Sequence, residues 1–222
     1  MGQAIAVSGL RAPARRRRPS AAPDFAALLG PRAWSELPLA VRRRFELSAH
    51  HQIRTYPGAM RVRASRVGWL IAQACRLIGT PLAPFTGEDV PVTVLVRPAP
   101  GGAMIWDRTY QFAGRRPVTV SSCKAMDSSL GLMEVVHGGV GMALRVSVED
   151  GALHFRSRRY FWDIAGLRLA LPLPVSPGEA HVAHIDRGGG VFEFRMSFTH
   201  PWFGRLFEQT GLFSDPSKEG VT

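Results

Sequence analysis

Residues 191–200, VFEFRMSFTH, decide the fold of this chain. Bulky apolar side chains alternate there with polar ones, and the apolar members are Phe192, Phe194, Met196 and Phe198. Because successive side chains of a β-strand point to opposite faces, the alternation predicts a strand with one buried face. The glycine-rich turn at 187–190 should join this strand to a partner at 180–186 in a hairpin.

The same two-residue rhythm extends back to Val90 through short segments separated by turn signals, such as those at 98–102 and 149–151. Around eight strands joined by short turns imply antiparallel pairing, because parallel pairs need a crossover of about a dozen residues or more. A sheet with that many strands tends to curl or close. The sequence therefore predicts a β-rich α+β fold, with an antiparallel curled sheet or an open β-barrel of about eight strands.

Two short helices are predicted before the sheet. Asp24 is a suitable N-cap for the first, which should end at Gly30-Pro31. The second should cover 39–47, with Arg42 to Arg44 exposed. Its inward positions are expected to be Leu39, Val41 and Phe45.

A third helix should begin after the N-cap Ser65, run to Ile78 and end at Gly79. Its apolar stripe should pack on the sheet and consists of Val67, Leu70, Ile71, Ala74, Cys75 and Ile78. Residues 52–64 before it have an extended pattern, broken at Pro57-Gly58. We expect a single domain over 24–213, with the N-terminal helices covering one face or end of the sheet. Residues 1–23 should form a disordered basic tail and residues 214–222 a flexible tail.

The net charge of +11 suggests nucleic-acid binding at first sight, but its distribution argues against a specific site. Five arginines lie in the tail, and the rest of the chain is rich in arginine with only two lysines, which is typical of a GC-rich genome. No segment reaches the ~20 apolar residues of a transmembrane helix. Cys75 and Cys123 fall in apolar patterns and should be reduced thiols. These features favour a cytoplasmic protein without a specific nucleic-acid partner.

Five stretches occur in order along the chain: 28–34 LLGPRAW, 87–94 GEDVPVTV, 106–112 WDRTYQF, 166–174 GLRLALPLP and 200–204 HPWFG. This set, over roughly 24–213, resembles the bacterial family called domain of unknown function 4166. The resemblance implies a bacterial protein of uncharacterised activity, and it transfers no catalytic residue. Similar domains also occur fused behind saccharopine-dehydrogenase-like oxidoreductases, which suggests an oxidoreductase as a partner.

Glu134 is the candidate acid or base. It shares the alternation phase of Leu130 and Leu132. If that face is the inner one, the carboxylate is buried and its pKa should be raised, which suits a general acid or base. If the face of Met133 and Val135 is the inner one, Glu134 is merely solvated.

Arg108 shares a strand face with Trp106 and Tyr110. It could pair with such an acid or bind an anionic ligand, and an ion pair at a sheet edge is the simpler alternative. His200 ends the final predicted strand on the side of the apolar row, so it is the histidine best placed to reach a pocket. A core histidine is the alternative.

For the other histidines, the sequence favours positions at the surface or in turns over catalytic or ligand-binding roles. His181 and His184 are three residues apart on a predicted strand, so they should point to opposite faces and lie at the surface. His154 should share a basic face with Arg156, Arg158 and Tyr160, either solvated or in contact with an anion. No spacing typical of a metal site or a cofactor-binding loop is present, so we expect no metal and no cofactor.

The sequence therefore favours a binding module that holds an apolar or amphipathic small molecule in a cavity of the curled sheet. The residues expected to line the cavity are Trp106, Arg108, Tyr110, Phe192, Phe194, Met196, Phe198 and His200. One alternative is a metal-independent enzyme that uses Glu134, Arg108 and His200 in the same cavity. Another is an accessory partner of an oxidoreductase.

Overall fold

A computed structural model describes residues 22–46, 52–76, 82–99, 101–164 and 167–215. The helices in it are α1 (Phe25–Glu36), α2 (Leu39–Phe45) and α3 (Arg66–Cys75). The strands are β1 (Arg54–Ala64), β2 (Gly87–Pro98), β3 (Met104–Tyr110), β4 (Val118–Asp127), β5 (Gly131–Val136), β6 (Val140–Glu149), β7 (Ala152–Ile164), β8 (Leu167–Leu171), β9 (Glu179–Gly188), β10 (Val191–His200) and β11 (Gly204–Ser214). Among these helices, none has the length and apolar character that a membrane crossing needs.

Ten of the strands form a closed antiparallel barrel. Their order is β6-β5-β4-β3-β2-β1-β11-β10-β9-β7, and β7 pairs with β6 to close the ring. The eleventh strand, β8, pairs only with β7. The predicted antiparallel, β-rich architecture is confirmed, whereas the predicted count of about eight strands in an open barrel is wrong.

Strands β1 and β11 complete the ring; β1 falls within the extended segment predicted at 52–64, whereas no strand was predicted at β11. Residues 58–64 of β1 pair with residues 207–213 of β11, and each strand also pairs with a neighbour on its other edge. The inward side chains of β11 include Gln209, and Gly211 interrupts the apolar row. A Cβ at Gly211 would lie 2.4 Å from the Ala59 carbonyl oxygen, so only glycine permits this approach of the two strands.

Strand β7 marks the point where the barrel wall divides. Residues 153–156 of β7 pair with β9, but residues 160–164 pair with β8 instead. The chain then crosses 172–178 before it enters β9. This crossing leaves an opening in the barrel at the end where β7 and β9 separate.

Helices α1 and α2 close the opposite end of the barrel. Phe25 and Phe45 are fully buried and meet edge to face at 5.4 Å between ring centroids. Phe45 also packs on Trp106 and Phe155, which point into the barrel. The two phenylalanines therefore act as an aromatic plug, which we call the plug.

The predicted helix boundaries need two corrections. Asp24 caps α1 as expected, accepting a hydrogen bond from the Ala27 amide at 3.0 Å, but α1 continues past Gly30 to Glu36. Gly30 adopts φ 78°, so the chain kinks there, and the following proline begins a second helical segment. In α2, Val41 and Phe45 are buried as predicted, whereas Leu39 is 52% exposed.

Arg44 was predicted to be exposed and is buried. Its guanidinium donates two hydrogen bonds of 2.8 Å to the Asp215 carboxylate and stacks on the Phe192 ring. Asp215 follows β11, and its amide donates to the Gly190 carbonyl. This pairing links α2 to the last described residue of the chain. Sequence periodicity cannot reveal a contact between segments so far apart.

Helix α3 lies against β11. Ser65 caps it as predicted by accepting from the Gly68 amide at 3.1 Å, and a Cβ on Gly68 would meet the Leu206 carbonyl oxygen at 1.9 Å. The face of α3 that contacts β11 is therefore formed by Gly68 and Ala72. Leu70, which was expected to face inward, is 60% exposed. The predicted helix end at Ile78 and Gly79 lies outside the described residues, as do most of the basic tail, His50, His51 and residues 216–222.

His184 lies in the aromatic core rather than at the surface. Its ring packs 4.9 Å from Phe45 and 5.3 Å from Phe194, and its Nδ1 is buried without a hydrogen bond among the described residues. Burial lowers the pKa of His184 well below its ordinary value, and the charges of Arg44 and Lys124 lower it further. His181 does lie on the outer face, so the two histidines point to opposite faces as predicted.

His184 should make the protein less stable in mild acid. In the folded state its ring stays neutral, while in the unfolded state it binds a proton near its ordinary pKa of 6.5, so stability is lost as the pH falls below that value. Urea unfolding at pH 7.5, 6.5, 5.5 and 5.0 should show a steeper loss for wild type than for His184→Phe. The difference in slope should approach roughly 1.4 kcal/mol per pH unit. Parallel curves for the two proteins would contradict the assignment.

Candidate functional site

An apolar pocket of about 340 Å³ opens at the end of the barrel away from the plug. The strand β10 connects the two ends, because Phe192 at its start contacts Arg44 of α2, whereas Phe198 and His200 at its end line the pocket. We call this space the end pocket. Its apolar wall includes Ile71, Met142, Tyr160, Leu171, Val175 and Phe198.

The mouth of the end pocket has an apolar rim. Val175, in the crossing between β8 and β9, is 66% exposed, and Phe203, in the turn between β10 and β11, is 52% exposed. On the other side Ile71 and Cys75 of α3 face the pocket. Apolar side chains that border a concave site in this way are suited to an apolar ligand.

A β-bulge directs Tyr160 into the end pocket. The pairing of β6 with β7 skips Arg158, so the inward phase changes between Phe155 and Tyr160. The predicted common face of His154, Arg156, Arg158 and Tyr160 is therefore wrong for Tyr160, because one inserted residue moves every later side chain to the other face. The bulge therefore adds Tyr160 to the pocket wall, whereas strict alternation would place this side chain on the outer face of the barrel.

The base of the end pocket carries charge. Glu134 lines the pocket and is buried, and its Oε1 lies 3.0 Å from the Lys124 ammonium and 3.9 Å from the Arg108 guanidinium. Both cations are buried as well. We call Lys124, Arg108 and Glu134 the buried charge cluster.

The pKa of Glu134 is lowered, whereas the sequence led us to expect a raised value. Burial acts to raise the pKa, but the charges of Lys124 and Arg108 outweigh burial. Burial lowers the pKa of Lys124, and the Glu134 carboxylate only partly opposes this effect. Glu134 is thus held as a paired carboxylate, which is a poor proton donor at neutral pH.

Lys124 is the main residue that the sequence analysis missed. It pairs directly across the strands with Glu134, and it follows Val120 and Ser122 on the inward phase of β4. A signal was available, because lysine is rare in this chain and Lys124 continues an otherwise buried row. Buried lysines occur almost only with a partner, so the position itself predicted an acidic neighbour.

A small inner cavity of about 40 Å³ adjoins the end pocket. Both spaces share Glu134, Met142 and Phe198 in their walls, and the inner cavity also touches Arg108 and Gln209. The Tyr110 hydroxyl donates to Gln209 Oε1 at 2.9 Å, which leaves the Gln209 amide hydrogens to donate elsewhere. The predicted residues Arg108 and Tyr110 therefore meet here, next to the pocket rather than in its main volume.

His200 lines the end pocket. It is buried, its ring stacks on Phe203 at 4.9 Å between centroids, and its Nδ1 accepts the Trp202 amide at 3.2 Å. The structure brings Glu134 and His200 to one pocket, with Arg108 in the adjoining cavity.

The predicted apolar row divides between two environments. Phe198 lines both cavities and Met196 lines the inner one. Phe192 and Phe194 instead pack around His184 in the core, together with Trp106. The plug fills the space that these three aromatic side chains were expected to leave for a ligand.

The outer face carries polar pairs. His154 Nδ1 and His181 Nε2 lie 2.9 Å apart, and Arg156 binds the Glu149 carboxylate. Within the described residues, no group of three side chains suited to a metal ion is found. Cys75 and Cys123 are free thiols whose pKa values are raised by burial.

Comparison with known proteins gives one match. A family model described as "Domain of unknown function (DUF4166)" matches residues 37–213, which include all eleven strands except the last residue of β11. No curated protein and no solved structure matches the chain.

Proposed function

The chain belongs to the DUF4166 family, and we propose that it binds an apolar or amphipathic small molecule in the end pocket. The observation that carries the proposal is the form of this pocket, an apolar cavity of about 340 Å³ with an open apolar rim and a charged base. Ligand pockets of proteins are typically concave and mostly apolar, with a few polar groups that fix the orientation of the ligand.

The volume of the end pocket suits a ligand with an apolar chain or ring system. Cavities of roughly 300–1,000 Å³ accommodate drug-sized molecules. A ligand that fills this apolar space removes the pocket walls from water and adds van der Waals contacts with them, so it should gain both hydrophobic and dispersion energy. The exposed rim residues Val175 and Phe203 would give such a ligand an apolar route of entry.

The position of Glu134 supports binding more than proton transfer. A general acid that works near neutral pH needs a raised pKa, and the pKa of Glu134 is lowered by its two cationic neighbours. In a binding protein the same cluster has a simple role, because it provides a polar end to an apolar space.

Filling the end pocket with a larger side chain should abolish binding. Ile71 lines the pocket from α3, and the adjacent Leu70 points to solvent. We expect folded wild-type protein to bind the neutral dye N-phenyl-1-naphthylamine with saturable fluorescence enhancement, and Ile71→Trp to weaken the affinity at least tenfold. Leu70→Trp, which adds the same indole to the outer face of the same helix, should leave the affinity unchanged.

Three outcomes would contradict the proposal: absence of dye binding by the folded wild type, equal affinities of the two tryptophan variants, or stronger loss in Leu70→Trp. Circular dichroism of each variant checks that the β-rich fold is retained. Native mass spectrometry of the purified protein provides a separate readout, because a retained cellular ligand should appear in wild type and be depleted in Ile71→Trp.

A further inference from the structure

The buried charge cluster contains more positive than negative groups. Glu134 is a single carboxylate, and it faces both the Lys124 ammonium at 3.0 Å and the Arg108 guanidinium at 3.9 Å. All three side chains are buried. With Lys124 protonated, one positive charge of the cluster has no counter-charge among the described side chains inside the barrel, and an uncompensated charge in a protein interior is costly.

Arg108 is the cation without a close partner. Lys124 lies at hydrogen-bond distance from Glu134, but in the described part of the chain the Arg108 guanidinium forms no hydrogen bond. Its other contact is with the Phe194 ring, 5.6 Å from the centroid. A guanidinium has five N–H donors, and a buried arginine normally uses them on a carboxylate or phosphate.

Other arginines among the described residues show how a guanidinium of this protein pairs with a carboxylate. Arg44, which is also buried, donates two hydrogen bonds of 2.8 Å to Asp215. Arg187 and Arg195 on the outer face both bind the Glu193 carboxylate. Arg108 is also buried, with 6% of its surface exposed, but its guanidinium donates to no such acceptor among the described residues.

We propose that the ligand of the end pocket is a carboxylic acid with an apolar chain, and that its carboxylate binds the Arg108 guanidinium in the inner cavity. This inference rests on the proposed function, since it assigns the head group of the same ligand. The ligand carboxylate gives the cluster two anions for its two cations. The Gln209 amide, which faces the same cavity, provides a further donor.

The geometry favours a carboxylate over other anions. The inner cavity of about 40 Å³ holds a group of a few heavy atoms, and a planar carboxylate matches the fork of a guanidinium in two parallel hydrogen bonds. A tetrahedral phosphate or sulfate ester can also bind a guanidinium fork, but it is bulkier and suits a cavity of about 40 Å³ less well. Because Glu134, Met142 and Phe198 line both spaces, a chain in the end pocket can extend its head into the inner cavity.

The head group is tested with ligands that share one chain. Decanoic acid, its methyl ester and 1-decanol should each displace N-phenyl-1-naphthylamine from wild type at pH 7.5, with the acid binding more tightly. A hydrogen-bonded pair with a charged group supports a preference of about tenfold to a hundredfold. Dye binding does not depend on the head group, so it reports separately on the end pocket.

Arg108→Gln should remove the preference for the acid over 1-decanol when the two displace the dye. The variant is expected to fold, because Glu134 keeps its 3.0 Å contact with Lys124. Arg195→Gln, which removes an arginine from the outer face, is the matched control and should behave as wild type. Arg108→Lys keeps the charge without the fork, so it should retain part of the preference.

The ligand-free stability of Arg108→Gln provides a second readout. Because the substitution removes an uncompensated buried cation, the midpoint of thermal unfolding should rise by about 2–4 °C relative to ligand-free wild type. Decanoic acid should then raise the midpoint of wild type by more than that of the variant, which binds the acid only through its chain. A merely structural arginine would produce the opposite result, a loss of stability without a ligand-dependent difference.

Equal affinity of wild type for the acid and the alcohol would overturn the head-group assignment and leave the end pocket as the binding site. An acid preference that survives in folded Arg108→Gln would also overturn it, since another group would then bind the carboxylate. If Arg108→Gln does not fold, the comparison of wild type with Arg108→Lys decides. Loss of dye binding by wild type itself would instead contradict the proposed function.

Discussion

Replacing Lys124 with methionine is expected to lower the free energy of unfolding by about 3 kcal/mol or more. Among the described residues, the change removes the one cation at hydrogen-bond distance from Glu134 and leaves the carboxylate with Arg108 at 3.9 Å. Methionine retains most of the lysine volume, so packing against Trp106 and Phe155 should change little. The loss in the free energy of unfolding should therefore reflect the electrostatics of the buried charge cluster. Urea unfolding at pH 7.5 measures it.

A triple variant separates charge from packing. Lys124→Met combined with Glu134→Leu and Arg108→Met removes every charge of the cluster, and replacement of a whole buried ion pair or triad by apolar residues is often neutral or stabilising. We expect this triple variant to regain most of the stability that Lys124→Met loses. A loss below about 1 kcal/mol in the single variant, or no recovery in the triple variant, would show that the cluster contributes little.

The two cations of the cluster should thus respond in opposite directions. Lys124 holds Glu134 at 3.0 Å, so its removal leaves a buried carboxylate poorly paired. Arg108 forms no hydrogen bond among the described residues, so its removal leaves a balanced pair. If the cluster were purely structural, both substitutions would destabilise the protein. The contrast connects stability to the proposed head-group site.

Truncation of the plug should have an effect of similar size. Phe45→Ala is expected to lower the free energy of unfolding by about 3–5 kcal/mol, because it removes a fully buried ring and leaves a cavity. The neighbours of that ring are the side chains of Phe25, Trp106, Phe155 and His184, all of which point into the barrel end. Few other atoms are available to fill the space.

Leu39→Ala is the control for the plug, because Leu39 lies on the same helix and is 52% exposed. It should change the free energy of unfolding by less than about 0.5 kcal/mol. Dye binding at the end pocket should persist in folded Phe45→Ala, since the plug and the pocket lie at opposite ends of β10. Equal losses in the two variants, or loss of dye binding in a folded Phe45→Ala, would contradict this division of the barrel.

The strands with clear alternation were predictable because burial of one sheet face imposes a period of two on the sequence. The final predicted strand matches β10 residue for residue, from Val191 to His200. Strand β11 was missed because Gln209 and Gly211 interrupt the apolar residues of its inward face. Each of these two residues is accounted for by an interaction with another strand. Gln209 binds Tyr110, and Gly211 allows Ala59 to approach.

The candidate site was predictable in part. Glu134, Arg108 and His200 were identified as residues of one cavity, and they line two adjoining spaces. The pKa of Glu134 was predicted in the wrong direction because its direct neighbour across the strands, Lys124, depends on the register of β4 with β5. Register is a property of the folded sheet, and a one-residue shift would place Lys124 beside a different side chain.

The sequence by itself determined the antiparallel, β-rich class, the N-caps at Asp24 and Ser65 and the burial of the Phe192–Phe198 row, because each depends on local spacing. Only the tertiary structure decided closure of the ring through β1 and β11, the bulge that turns Tyr160 inward and the surplus of cations beside Glu134. These features depend on which segments become neighbours in space, and pairing between distant segments leaves no periodic trace along the chain.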